Sequence, residues 1–237
     1  MLDAISAAQA AMLQDQFRLQ SISQNVSNMQ TPGYKRQIID NKTFDEQFNV
    51  ESATVSSQIK LTHQIQQGTF IQSKNPAELA ISGAGFFEVQ NDQGVFYTRR
   101  GDFHVNAYGE LVTSTGAKVL GKSGVVHVDD NAFVIDAQGN ISIDNQRFDQ
   151  INLVNFTHPE QLDYQGESLY ASPESPQSVN ADTRILQGYL EQSNVKSIDE
   201  MMDMVKTSRH FEASQRVMRI ADSMLSTAIN QLGEGNV

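Results

Sequence analysis

Five histidines offer the first candidates for chemistry: His63, His104, His127, His158 and His210. No two of them stand at metal-ligand spacing, so they read as surface or strand residues rather than a zinc site. The chain has no cysteine, which removes disulfides, thiolate metal sites and cysteine nucleophiles. Gly83-Ala84-Gly85 lacks the third glycine and the following helix of a dinucleotide loop, and reads as a tight turn into Phe86-Phe87. No phosphate-binding loop and no Gly-x-Ser-x-Gly elbow is present. Asp129-Asp130 and Asp136-Ala137-Gln138-Gly139 lack the alternating ligands and closing glutamate of a calcium loop. Three triplets, at Asn25, Asn41 and Asn140, match glycosylation sequons, a pattern common by chance. No cofactor or metal is expected, and the residues point away from an enzyme.

Charge narrows the classes further. Lys plus Arg number 17 against 28 Asp plus Glu, a formal net charge of −11. An anionic chain is a poor match for nucleic-acid phosphates or anionic lipid heads. No apolar run approaches the length of a membrane span. The alanine-rich start has no Lys or Arg before it and carries Asp3, unlike a cleaved signal peptide.

The elements that must position these residues fall into an order of helix, strands, helix. From Met1 to Gln30 there is neither Gly nor Pro. Ile5, Met12, Leu19 and Val26 recur every seven residues, with Met1, Ala8, Ile22 and Met29 on partner positions. That narrow seam is the pattern of a coiled coil, interrupted by Asp15. Thr31-Pro32-Gly33 stops the helix. At the far end Ser197 and Glu200 form a capping-box pattern. Met204, Phe211, Met218, Leu225 and Leu232 then repeat every seven residues, and Gly233 and Gly235 are expected to end that helix. Between the helices, short apolar runs (79–81, 86–89, 95–98, 119–120, 133–135 and 151–156) alternate with Gly, Asn and Asp turns, the pattern of an all-β body. Residues 40–67 read as a polar arm with one or two strands, and Ser172 to Pro176 as a loop.

The first helix carries six Gln, four Ser and two Asn but only three charged residues up to Gln30. Amides and hydroxyls can bond to identical copies where rows of like charge cannot. Each seam residue contributes at most ~1.5–3 kcal/mol when buried, whereas ordering the backbone costs roughly 1–2 kcal/mol per residue. Folding of the two ends is therefore expected to couple to assembly.

Four separated blocks resemble the axial proteins of the bacterial flagellum, the rod and hook family. The first is Asn25-Val26-Ser27-Asn28-Met29-Gln30-Thr31-Pro32-Gly33-Tyr34-Lys35; the second is Leu79 to Phe87, with Gly83, Gly85, Phe86 and Phe87. The third runs from Tyr97 through Thr98, Arg99, Gly101 and Phe103 to Gly109, Leu111 and Gly121. The fourth is Gly188-Tyr189-Leu190-Glu191-Gln192-Ser193-Asn194-Val195. The resemblance implies a structural subunit of the basal-body rod, exported by the flagellar type III apparatus and polymerised with other rod, hook or axial subunits in a homo-oligomeric or mixed helical tube in the periplasm. It also implies terminal helices on the inner tube and a β body facing outward. The length and Arg209-His210-Phe211-Glu212 look like a proximal-rod subunit, and the Gly-Phe-Phe block like a distal-rod one.

The expected architecture is thus α+β, with N- and C-terminal helices paired as a coiled coil and a central all-β body. Its segments are 1–34 (helix and turn), 35–75 (linking arm), 76–172 (β body), 173–193 (connection) and 194–237 (helix). A secreted β-rich hydrolase would need a convergent acid/base pair, and a coiled-coil surface adhesin would have exposed termini without need of the Thr31-Pro32-Gly33-Tyr34 block.

Overall fold

The computed structural model describes residues 2–40, 60–128, 133–143 and 146–234. The Asp129-Asp130 pair and the sequon at Asn41 lie outside them. Two long helices, α1 (Leu2–Ser27) and α2 (Ser197–Glu234), bracket a β-rich middle. The chain divides into two compact units, one of Met1–Ser27, Gln37–Leu61 and Lys196–Val237, the other of Asn28–Arg36 and Thr62–Val195.

In the first unit α1 packs along α2. α1 closes at Ser27, before the Pro32 stop, because Asn28 begins a turn: Thr31 N–H donates to Asn28 O and Thr31 Oγ1 to Asn28 Oδ1. α2 runs to Glu234, so that Gly233 lies within its last turn, and a lone glycine there costs a helix only ~1 kcal/mol. Ile22 is buried, while Ile5, Met12, Leu19, Val26, Met204, Phe211 and Met218 are half-buried. The side chains of Leu225 and Leu232 lie outside the described residues.

The second unit is the β body. Among the described residues its main sheet has ten strands. The strand Phe86–Asn91 is central, pairing antiparallel with Gly94–Thr98, Lys118–Gly121 and Leu153–Asn155. A three-stranded antiparallel sheet follows (Phe133–Ile135, Asn140–Ile143, Gln146–Gln150), and two-stranded pairs join Leu79–Ser82 to Arg184–Gln187 and Phe70–Gln72 to Tyr189–Glu191. The last two pairings bring residues far apart in sequence together, Ile81 opposite Ile185 and Ile71 opposite Leu190.

Alternation along a strand explains the aromatic doublet. Successive side chains point to opposite faces, so Phe86 and Phe87 fill different cores. Phe87 joins Leu79, Ile81, Val89, Phe103, Leu111, Val119 and Ile141, and its ring meets Phe103 edge-on at 5.1 Å. Phe86 joins Tyr97, Val154, Phe156, Leu162 and Tyr170.

His63, at the end of the strand Lys60–His63, is buried against this second cluster. Its ring lies 4.6 Å from Tyr164 and 5.4 Å from Tyr170, and Nε2 has no hydrogen-bond partner. Burial without a partner favours neutral imidazole and lowers its pKa from 6.5 to about 4. As pH falls through this window the unfolded chain takes up the proton first. The contribution of His63 is therefore complete above pH 6.5 and lost progressively toward pH 4, about 3 kcal/mol in all. Denaturant unfolding of the β body should show this extra acid loss in the wild type and not in His63→Phe. Identical pH dependence in the two would show that His63 is not the group.

Candidate functional site

The blocks that carry the family resemblance meet at one carboxylate. Glu191, on the strand Tyr189–Glu191, is buried, and its Oε1 accepts from Lys35 Nζ at 2.6 Å. The same oxygen accepts from Gly68 N at 2.8 Å, while Oε2 lies 3.5 Å from Arg99 NH1. The main chain of Glu191 takes part as well, its O accepting from Gly33 N at 2.7 Å. One residue thus holds the turn after α1, the arm at Gly68 and the strand end at Arg99.

Two cations face this one anion, so further acceptors are needed. Lys35 Nζ also donates to Gln66 O at 2.8 Å. Arg99 donates to Gly83 O at 2.8 Å and Ile81 O at 3.4 Å, and its guanidinium carbon sits 5.4 Å from the centre of the Phe86 ring. Burial pushes the Lys35 ammonium pKa down, which the adjacent Glu191 carboxylate opposes and Arg99 reinforces. The Arg99 pKa is likewise lowered by burial and supported by Glu191. Arg99 Nε has no partner. Such a cluster is costly to desolvate and costlier to break, because removing one member strands a buried charge.

The glycines of the blocks are explained by close approach. Gly33 has φ +67°, and a Cβ there would lie 2.4 Å from Arg99 O. At Gly101 a Cβ would fall 1.6 Å from Leu79 O, which accepts no side chain of any kind. Leu79 N in turn donates to Gly101 O at 2.9 Å.

Asn194 closes the node from the other side. Its Oδ1 accepts from Arg36 N at 2.7 Å, and its Nδ2 donates to Gln64 O at 2.7 Å and Gln66 O at 3.1 Å. Ser193 Oγ accepts from Val195 N, and Gly188 N donates to Glu78 O. Tyr34 is buried between Gly33 and Lys35 in the sequence. Thr98 Oγ1 donates to Ser168 O and accepts from Arg100 N. Gly109 and Leu111 serve the sheet elsewhere, Val128 N donating to Gly109 O and Leu111 N to Val126 O.

Asn25 belongs instead to the helical unit. Its side chain pairs with the main chain of Gln37 in both directions, Nδ2 donating to O at 2.9 Å and Oδ1 accepting from N at 2.8 Å. Nδ2 also lies 3.3 Å from Glu200 Oε2 on α2. Asp15, which interrupts the heptad seam, is buried with Oδ2 2.5 Å from His210 Nδ1. Four polar partners were not among the sequence-derived site residues: Lys35, Asp15, Glu200 and His210. A further feature was also missed. The outer side of α2 leaves Ile198, Met202, Val205, Val217, Ile220 and Met224 exposed. Their spacing of three or four residues within each half of the helix was the available signal.

The node generates a direct test. Glu191→Gln leaves Lys35 and Arg99 without a counter-charge, and removing one partner of a buried pair costs about 3–5 kcal/mol. The melting temperature of the β body should drop by more than ten degrees, whereas Glu174→Gln, on an exposed loop, should leave it unchanged. Equal stability of the two variants would contradict the assignment.

Comparison with known proteins identifies the family. The model of the flagellar basal body rod FlgEFG protein C-terminal region matches residues 186–232, and that of the flagellar hook protein FlgE/F/G D1 domain matches residues 80–146. The flagellar basal-body rod protein FlgG of Buchnera aphidicola subsp. Acyrthosiphon pisum is 30% identical, over 89% of this chain and 92% of its own. FlgG of Bacillus subtilis is 26% identical over 97% of this chain and 99% of its own, and FlgF of Mesorhizobium japonicum 29% over 98% and 99%. Similarity on this scale, end to end, shows that the chain belongs to the flagellar basal-body rod protein family.

Proposed function

We propose that this protein is a structural subunit of the flagellar basal-body rod, exported by the flagellar type III apparatus and polymerised with other axial subunits. The family and the basal-body location rest on the relatives described above. The observation that carries the assembly reading is the set of exposed aliphatic residues on α2, which stand among Lys206, Arg209 and Arg216. Ile198 is 73% exposed and Ile220 55% exposed on a helix that already packs against α1. A second helical neighbour would cover them. Each half-exposed aliphatic side chain gains on the order of 1 kcal/mol on burial, whereas association costs roughly 4–15 kcal/mol. A single contact is therefore marginal, and packing among several neighbours is favoured.

Within one chain, the half-buried heptad residues of α1 and α2 form the seam of a coiled coil. The exposed Gln9, Gln16, Gln20, Ser23 and Gln24 on α1 face neighbouring copies through amide and hydroxyl bonds. The reading is of a non-enzymatic protein, because the buried ionisable cluster of Lys35, Arg99 and Glu191 is sealed from solvent and spent on itself. It is also preferred to an adhesin, because the Thr31-to-Lys35 block is built into the β body through Gly33 and Lys35. The relatives carry both FlgG and FlgF names, and proximal and distal rod positions both fit.

Ile220→Asp should leave the purified chain folded, with unchanged near-ultraviolet dichroism, and abolish rod assembly and motility. Motile cells with intact rods would overturn the assignment of the outer α2 stripe to an interface between subunits.

A further inference from the structure

The polar contacts between α1 and α2 have a common geometry. Asp15 meets His210 and Asn25 meets Glu200. Ten residues up α1 correspond to ten residues down α2, so both contacts belong to one antiparallel register. The apolar seam cannot define that register alone. Ile5, Met12, Leu19 and Val26 repeat every seven residues, as do Met204, Phe211 and Met218. Sliding one helix by seven residues sets apolar against apolar again, with little change in apolar burial.

The polar residues remove this degeneracy. A slide of one heptad carries Asp15 from His210 to Asp203 in one direction and to Val217 in the other. The first sets carboxylate against carboxylate, and the second leaves a buried carboxylate against a hydrocarbon side chain. Both are strongly disfavoured. Asn25 adds a second constraint. Its amide is held by the main chain of Gln37 at both ends, and its Nδ2 lies 3.3 Å from Glu200 Oε2. A buried polar residue in an otherwise apolar seam is a known means of setting helix register at some cost in stability.

We infer that Asp15 with His210, backed by Asn25 with Glu200, is the register key of the α1–α2 pair, selecting one antiparallel alignment and rejecting those one heptad away. Leucine at position 15 would give a stickier and less specific seam. The inference concerns pairing within one chain and stands independently of the rod assignment.

The absence of cysteine makes spin labelling straightforward. Gln16 and Arg219 are exposed, and cysteines placed there in the full-length chain carry the labels. A slide of seven residues changes their separation along the helix axis by about 10 Å. The reference chain should give one distance population by pulsed electron resonance. Asp15→Leu should raise a second, displaced population at least about fivefold. The exchanged pair Asp15→His with His210→Asp should return the single population, and this return is required even if Asp15→Leu loses any defined distance. One unchanged population in Asp15→Leu overturns the inference. Failure of the exchanged pair to restore the reference distance, or two populations in the reference chain itself, overturns it equally.

Discussion

The β body is organised around the carboxylate of Glu191. Its two oxygens and its main-chain oxygen hold the turn after α1, the arm around Gly68 and the strand end at Arg99. A buried anion facing two cations is not a cheap way to stabilise a protein. The arrangement gives Lys35, Arg99 and Glu191 partners in one another and in Gln66 O, Ile81 O and Gly83 O. The node therefore makes residues 28–36 part of the body, although they follow a helix that belongs to the other unit. The close contacts at Gly33 and Gly101 follow from the same convergence, since main chain meets main chain where side chains would otherwise stand.

The helical unit follows a different logic. Its inner contacts mix half-buried apolar residues with buried polar ones, and α2 leaves aliphatic residues exposed among Lys206, Arg209 and Arg216. A helix of a solitary soluble protein carries fewer exposed aliphatic residues on its outward side. Polar specificity within the chain and apolar adhesion outside it suit a subunit whose neighbours complete the core. The β body, by contrast, buries most of its aromatic residues in two internal clusters, with Tyr108 and Phe148 left exposed.

Much of this was legible in the sequence because its signals were local. Strands lie on the runs at 79–81, 86–89, 95–98, 119–120 and 133–135, each bounded by turn residues, and the two terminal helices follow from seven-residue spacing. Three features were not legible, for distinct physical reasons. Asp15 looked like a flaw in the seam because its partner His210 is 195 residues away. Glu200 matched a capping-box pattern, which concealed its contact with Asn25. Lys35 stood in a recognised block as a mere basic residue, since nothing local shows that its ammonium is buried against Glu191. His63 is a similar case: its burial depends on Tyr164 and Tyr170, about a hundred residues downstream.

The central claim is that the turn after α1 is a fixed part of the β body rather than a frayed extension of the helix. Hydrogen exchange of the full-length chain in solution, followed by mass spectrometry, reports on it most directly. Peptides covering residues 30–36 should exchange at the slow rates of the strands Leu79–Ser82 and Tyr189–Glu191, while those from residues 2–20 of α1 exchange much faster. Rapid exchange of residues 30–36 at the rate of α1 would contradict the account.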